Sequence, residues 1–504
     1  MFSRIMSRQL CGAGVRLSTR QNARSLLSNG TALIERNSLS ISRQFSSKSP
    51  LALSLLNANR SRSFSSIKTL RNIAATGAKI IDEAAIKMDA TGIPLAAKDV
   101  KTSKYVAYWL IGTSGLVFGI VILGGLTRLT ESGLSITEWR PILGALPPLS
   151  QAEWEEEFAK YRESPEFMEL NSHINLDEFK FIFFMEWFHR LWGRAIGGIF
   201  VLPALYFVVT KKTSGHVNKR LLFLSGLLGL QGFVGWWMVK SGLDKEQLEA
   251  RQSKPTVSQY RLTTHLGAAF LLYMGMLWTG WEILRELKWL KNPAKALEAF
   301  KKLESSNITP IRKVAIALTA LTFITAMSGG MVAGLDAGLV YPTFPQMGEH
   351  IIPPSRELFE DRYARKEDKS DKWWRNMLEN PVTVQLNHRI LATVTFAAIL
   401  AAHIYCNKRK YIVPRNADIT MKAMMGVLAV QVTLGALAVL YYVPISIASM
   451  HQGGALALLT LSLLFAAQLR APRLPIRNTI SKLHQQQLKA GSKIIQEASK
   501  QVLR

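Results

Sequence analysis

Two short stretches put ionisable side chains inside apolar sequence: "EWFHRLWGR" at 186–194 and "QLNHR" at 385–389. Hydrocarbon offers no water to an imidazole, a guanidinium or a carboxylate, so such groups in a membrane helix face a bundle interior and serve a function there. His189 and His388 each precede an arginine, Arg190 and Arg389, and Arg194 follows one turn later in the first stretch. An imidazole nitrogen ligates iron, and a guanidinium fork matches a carboxylate. Two further histidines lie in comparable settings, His265 in "HLGAA" and His451 in "HQGGA".

These four belong to a repeat. "GGLTRLTESGL" (124–134) is similar to "GGMVAGLDAGL" (329–339), which sets Glu131 opposite Asp336 and Gly133 opposite Gly338. The His-Arg pair comes next, then Gly226, Gln231 and Gly235 recur as Gly426, Gln431 and Gly435, and the His265 stretch recurs at His451. Four markers in one order describe a duplicated unit. The other histidines, His173, His216, His350, His403 and His484, fall in loops, tails or at the end of a span.

Each half therefore offers one histidine pair, from its second and fourth helices. Facing histidines among bulky apolar neighbours, with small residues such as Gly267 and Gly453 to admit a planar group, suit axial ligation of haem iron through His189, His265, His388 and His451. Arg190, Arg194 and Arg389 are candidate partners for haem propionates. Zinc suits the pattern less well, because neither half adds the Cys or carboxylate ligands of a tetrahedral site. The halves differ where Glu186 stands opposite Gln385. A carboxylate one turn before an iron ligand shares its helix face and, in a low-dielectric site, acts as a proton acceptor or stabilises positive charge. Glu186 thus marks the first half as the reactive site and the second as the holder of a retained cofactor. The other reading of the same spacing is an ion pair with Arg190.

The elements that must carry these residues follow from hydropathy. The chain has 504 residues, 48% of them hydrophobic. The apolar residues gather into runs near the ~20 residues that cross ~30 Å of hydrocarbon. Such runs lie at 105–126, 181–209, 221–239, 262–283, 314–335, 383–406, 423–442 and 446–469. The expected fold is an all-α polytopic membrane protein with eight transmembrane helices arranged as two pseudo-symmetric four-helix bundles. Basic loops at 211–220, 285–302 and 407–415, set against the acidic stretch 153–170, place both termini on the matrix side by the positive-inside rule. All four histidines then enter from the intermembrane-space side, within about three turns.

Between Met1 and Arg71 there are twelve Lys and Arg and one acid, Glu35, which reads as a mitochondrial transit peptide over 1–72. A disordered basic tail is the alternative. "RQFSS" (43–47) and "RSFSS" (62–66) both offer processing sites. The expected order then runs through a matrix-facing segment (73–104), a bundle with the reactive site (105–284), a basic matrix linker (285–313), a bundle with the retained cofactor (314–470) and a matrix-facing tail (471–504). The formal charge of +27 is concentrated in the leader and in loops beside spans, so membrane topology explains it better than nucleic acid does. Of two cysteines, Cys11 leaves with the leader and Cys406 remains, which excludes an internal disulfide, a Cys-rich zinc site and an iron–sulfur cluster.

Taken together, "EWFHRLWGR", "TTHLGAA", "QLNHR" and "MHQGGA", over eight spans and behind a mitochondrial leader, resemble the haem A synthase family of the mitochondrial inner membrane, over about residues 100–470. The resemblance implies oxidation of the C8 methyl of haem O to a formyl group, giving haem A for cytochrome c oxidase, by successive hydroxylations and loss of water from a geminal diol. It implies Glu186 as the catalytic carboxylate, His189 and His265 as holders of the substrate haem, and His388 and His451 as axial ligands of a haem B cofactor. A ferredoxin system and haem O synthase are the partners it suggests, with a homo-oligomer expected; the tail at 481–504 reads either as an amphipathic matrix helix for self-association or partner docking, or equally as a solvated tail. Some relatives carry two cysteines in the first outer loop; none lies between 127 and 180 here, so no thiol step in haem handover is expected.

Two other functions compete. A di-haem cytochrome acting only in electron transfer would favour haems at two depths, whereas these pairs share one side. A repeat-built transporter would place its site near the midplane on broken helices.

Overall fold

Several helices in this protein run past the apolar stretches that define them, and some of these start at polar caps in the flanks. The first, α1 (Lys104–Leu129), begins where the Ser103 hydroxyl accepts from the Tyr105 amide. In the loop that follows, Ser150 and Glu153 form a reciprocal capping box at the start of α2 (Gln151–Arg162), and Ser164 caps the short α3 (Pro165–Glu169). A second capping box, Asn175 with Glu178, starts α4 (Leu176–Val209) five residues before the expected 181. The added turn is amphipathic: its Phe179 is fully buried against Phe158 and Tyr161 of α2.

The chain continues through α5 (Gly215–Leu243), α6 (Lys245–Arg251), α7 (Gln259–Lys291) and α8 (Pro293–Leu303). Then come α9 (Thr309–Gly334), the short α10 (Ser355–Leu358) and α11 (Lys372–Glu379), α12 (Pro381–Lys408), α13 (Arg415–Leu440), α14 (Ile445–Leu469) and α15 (Leu474–Val502). The architecture is a computed structural model that describes residues 100–502 apart from 141–143, 145 and 252. The expected leader at 1–72 and most of the segment at 73–104 lie outside the described residues. The described residues up to Ser492 belong to one compact unit; the last turns of α15, from Lys493, belong to another and form helix.

The fold is all-α, with no strand among the described residues. Seven helices, α1, α4, α5, α9, α12, α13 and α14, are long and apolar enough to cross a membrane. The eighth expected span, 262–283, falls in α7, which is long enough at 33 residues but more polar, carrying Thr263, Thr264, Thr279 and Glu282. The reason is its position. It packs against α1, α5, α9 and α14, so neighbouring helices solvate much of its surface, and only a lipid-facing helix must be apolar all round.

Within the first half, α1 lies against α4 and α7, and α5 lies against α7 and α4; within the second, α9 lies against α12 and α14, and α13 against α14 and α12. The halves meet where α7 touches α9 and α14, and α14 touches α1. At the end of α7 remote from His265, buried Glu282 pairs with Arg220 and Arg473 at 3.2 Å and also with Arg470, and Glu286 accepts both prongs of Arg473, fastening the segment after α14 to α5 and α7. Cys406 is buried and free.

Candidate functional site

Each of the four helix-borne histidines lies against a glycine of the long helix that comes before its own, with any short loop helices passed over. A Cβ placed on Gly124 of α1 would stand 2.9 Å from Cε1 of His189, and one on Gly329 of α9 would stand 3.1 Å from Cε1 of His388. Likewise Gly235 of α5 faces His265 at 3.3 Å, and Gly435 of α13 faces His451 at 2.8 Å. Any larger residue at these four places would push the ring away. His189 and His265 are near enough to act on one another electrostatically, as are His388 and His451, so each half brings its own pair together. All four rings remain partly accessible although their helices pack closely.

The glycine cradles and the uncommitted ring nitrogens fit a ligand bound between the imidazoles. The Nδ1 atoms of His189 and His265 are buried without a hydrogen-bond partner among the described residues. In the second half His388 Nδ1 lies 2.8 Å from Ser328 Oγ, and His451 Nδ1 lies 3.2 Å from the Gln431 carbonyl. Gln231 and Gln431, matched in the repeat, both donate to the backbone carbonyl of the histidine on the adjacent helix, at 3.1 and 3.0 Å. No cluster of three or more His, Cys, Asp or Glu suited to a bare metal ion occurs among the described residues.

Glu186 is buried beside His189 on α4. Its Oε2 accepts from the Ser135 hydroxyl at 2.7 Å and from the Ile136 amide at 2.8 Å, while Oε1 accepts from Arg190 at 2.7 Å. Arg190 also donates to the carbonyls of Ile136 and Glu138, and Arg194 to that of Arg140. In the second half Arg389 donates to the carbonyls of Tyr341, Thr343 and Gln346, and buried Gln385 donates to Tyr341 at 3.2 Å. The arginines nominated for propionates thus hold the loops that follow α1 and α9. The matched acids Glu131 and Asp336 both turn the chain out of a first helix in the left-handed conformation, φ 49° and 52°. Asp336 also pairs with Arg128 at 2.7 Å and Lys254 at 3.0 Å.

One expectation about space is corrected. Gly267 and Gly453 do not border the histidine pairs: a Cβ on Gly267 would meet Met327 of α9, and one on Gly453 would meet Ile122 of α1. They let the fourth helix of each half approach the first helix of the other, because the face of a helix next to its histidine is not the face that carries the glycine two residues on. The four cradle glycines were the residues to find. All stand at repeated positions, and their recurrence as Gly124/Gly329 and Gly235/Gly435 was the available signal.

Comparison with known proteins places this geometry. The model of the family described as "COX15-CtaA: Cytochrome oxidase assembly protein" matches residues 107–463. The chain is 70% identical to "Heme A synthase COX15" of Saccharomyces cerevisiae over 401 residues, which is 80% of this chain and 82% of the relative. It is 42% identical to "Heme A synthase" of Nitrosospira multiformis over 73% of this chain and 94% of that one. A "Heme A synthase-mitochondrial ferredoxin fusion protein" of Schizosaccharomyces pombe is 49% identical over 75% of this chain, which covers 61% of that longer protein.

Proposed function

The chain belongs to the COX15-CtaA cytochrome oxidase assembly family and acts in haem A synthesis, and we propose that it does so by oxidising the C8 methyl of haem O to a formyl group. The observation that carries this reading is the pair of glycine-cradled histidine pairs, one per half, of which only the first has a buried carboxylate on the same helix face. In this reading residues 105–284 form the bundle that receives haem O between His189 and His265, and residues 314–470 form the bundle that keeps a haem B cofactor between His388 and His451. A haem B held there would supply one-electron chemistry, and the protein's own groups would bind, orient and accept protons, with the oxygen atom and the electron acceptor coming from outside the chain.

Glu186 is the catalytic carboxylate in this proposal. The clamp from Arg190, Ser135 and Ile136 fixes its two oxygens one turn from His189, so a proton or positive charge arising beside that histidine meets a placed acceptor. Arg190, Arg194 and Arg389 tie down the loops after α1 and α9, and their guanidinium groups are the proposed donors to propionates. The four histidines share one side of the membrane, which supports a reaction between neighbouring sites over electron transfer across the bilayer.

The protein is a multi-pass protein of the mitochondrial inner membrane, and the basic loops support placing both termini in the matrix. The fusion of a relative to a mitochondrial ferredoxin supports a ferredoxin as redox partner on that side; haem O synthase as the supplier of substrate and self-association through the tail complete the proposal. The test is extraction of haems from protein purified in mild detergent: haem B together with haem O or haem A is expected, and haem B alone under conditions that supply haem O would sink it.

A further inference from the structure

We propose that Ser328 is a positioning residue that fixes the ring of His388 in the tautomer able to ligate iron through Nε2; this rests on the reading that the second half keeps a haem. The argument is a count of hydrogens. A serine hydroxyl has one proton to give. Ser328 Oγ lies 2.7 Å from the Thr325 carbonyl, one turn back on α9, which can only accept. With the proton given there, the same oxygen meets His388 Nδ1, at 2.8 Å, as an acceptor. In that arrangement Nδ1 carries the ring proton, and the lone pair of the neutral imidazole is on Nε2.

The partner histidine is set in the same way by a different group. His451 Nδ1 faces the Gln431 carbonyl, which can only accept, so its proton too is on Nδ1. Gln431 Nε2, anchored on the His451 carbonyl at 3.0 Å, comes no nearer than 3.5 Å to His451 Nε2, at the outer limit of a hydrogen bond, and leaves that nitrogen available. Both histidines of the second half are therefore presented to a ligand with ring orientation and proton position settled in advance.

The first half lacks this arrangement. The repeat places Leu123 opposite Ser328, immediately before the cradle glycine in each case, and leucine offers no acceptor. His189 Nδ1 and His265 Nδ1 have no partner among the described residues. Outer hydrogen bonds to a ligating histidine commonly raise affinity for the metal by 10- to 100-fold and make the ring a stronger electron donor. A half with these bonds holds its haem; a half without them lets one in and out, as a substrate site must.

The experiment compares Ser328→Ala, Ser328→Thr and His388→Ala in full-length protein purified in mild detergent, reading haem B content, the midpoint potential of the bound haem and the low-spin ferric electron paramagnetic resonance signal. Losing the acceptor weakens the imidazole as an electron donor to ferric iron. Ser328→Ala is expected to shift the potential upward and move the resonance signal, and to lose haem several-fold faster to apomyoglobin, while Ser328→Thr restores all three. His388→Ala is expected to lose the haem outright. A Ser328→Ala protein with wild-type potential, signal and haem release, alongside a His388→Ala protein that loses haem, overturns the role of Ser328 and leaves the site assignment standing. Loss of haem in both serine variants shows a structural role instead and also overturns it. Full haem in His388→Ala overturns the site assignment and the proposal with it.

Discussion

Glu186 and Arg190 face each other at 2.7 Å across one turn of α4, whereas their equivalents Gln385 and Arg389 make no such pair and both donate to the one carbonyl of Tyr341. The loop has changed with the residue. Beside Glu186 it presents donors, the Ser135 hydroxyl and the Ile136 amide; beside Gln385 it presents an acceptor. The ion pair that the spacing allowed is therefore real, and it is compatible with the proposed role in chemistry, since the same clamp that orders the loop also holds the carboxylate one turn before His189.

Glu186→Gln separates these roles. If the carboxylate acts on the reaction, haem A formation falls by about 100-fold or more, the usual contribution of a placed acid or base, while haem B content stays at the wild-type level and haem O or a hydroxylated haem accumulates. Chromatography of extracted haems measures all of these. Haem A yield falling only in proportion to protein yield would leave Glu186 as a loop anchor.

The cradle glycines predict a division between the halves. Gly435→Ala places a methyl 2.8 Å from His451 Cε1, and Gly124→Ala one 2.9 Å from His189 Cε1. Overpacking of this kind costs about 1–3 kcal/mol, enough to swing a ring off axis. Gly435→Ala is expected to lose haem B several-fold in a pyridine haemochrome assay. Gly124→Ala is expected to keep haem B and lose haem A production. Equal loss of haem B in both variants would contradict the assignment of the two sites.

The sequence disclosed types and order better than directions. His189, His265, His388 and His451 were legible because an ionisable residue in an apolar run is conspicuous and the repeat shows it twice. Gly267 and Gly453 misled because a glycine beside a histidine in sequence points about 200° away from it around a helix, two residues at ~100° each. Ser328 was invisible for another reason: serine in a membrane helix usually bonds its own backbone, as this one does with Thr325, and only the fold shows what its oxygen accepts. The eighth expected span, in α7, is more polar than the other seven because neighbouring helices stand where hydropathy assumes lipid.

The two arginine clamps predict loop order. Arg389 reaches four carbonyls, those of Tyr341, Thr343, Pro345 and Gln346, through a planar fork that a lysine lacks. Arg389→Lys is expected to expose the segment 340–360 to limited proteolysis at least several-fold faster than in wild type, with α12 still folded. An unchanged cleavage rate would show that the loop is held by other contacts, Gln385 and Asn380 among them.

Glu166 gives the outer loop a pH dependence. Burial in α3 pushes its carboxyl up to about 8; the Tyr161 hydroxyl, donating at 3.0 Å, pulls the other way, and the nearby charge of Glu186 adds to the rise. The folded protein thus holds a proton there that the unfolded chain gives up near its ordinary value of 4.5. Because the folded state binds more protons, stability is greatest below the unfolded value and declines as pH rises toward the folded one, by at most about 1.4 kcal/mol per pH unit, and is flat above it. Thermal melts of the purified protein between about pH 5 and pH 9, followed by fluorescence of Trp154 and its neighbours, should show this slope. Glu166→Gln keeps an acceptor for Tyr161 without a titrating proton, so it should flatten the slope while leaving the melt near pH 5 unchanged. A slope that persists in Glu166→Gln assigns the dependence to another group.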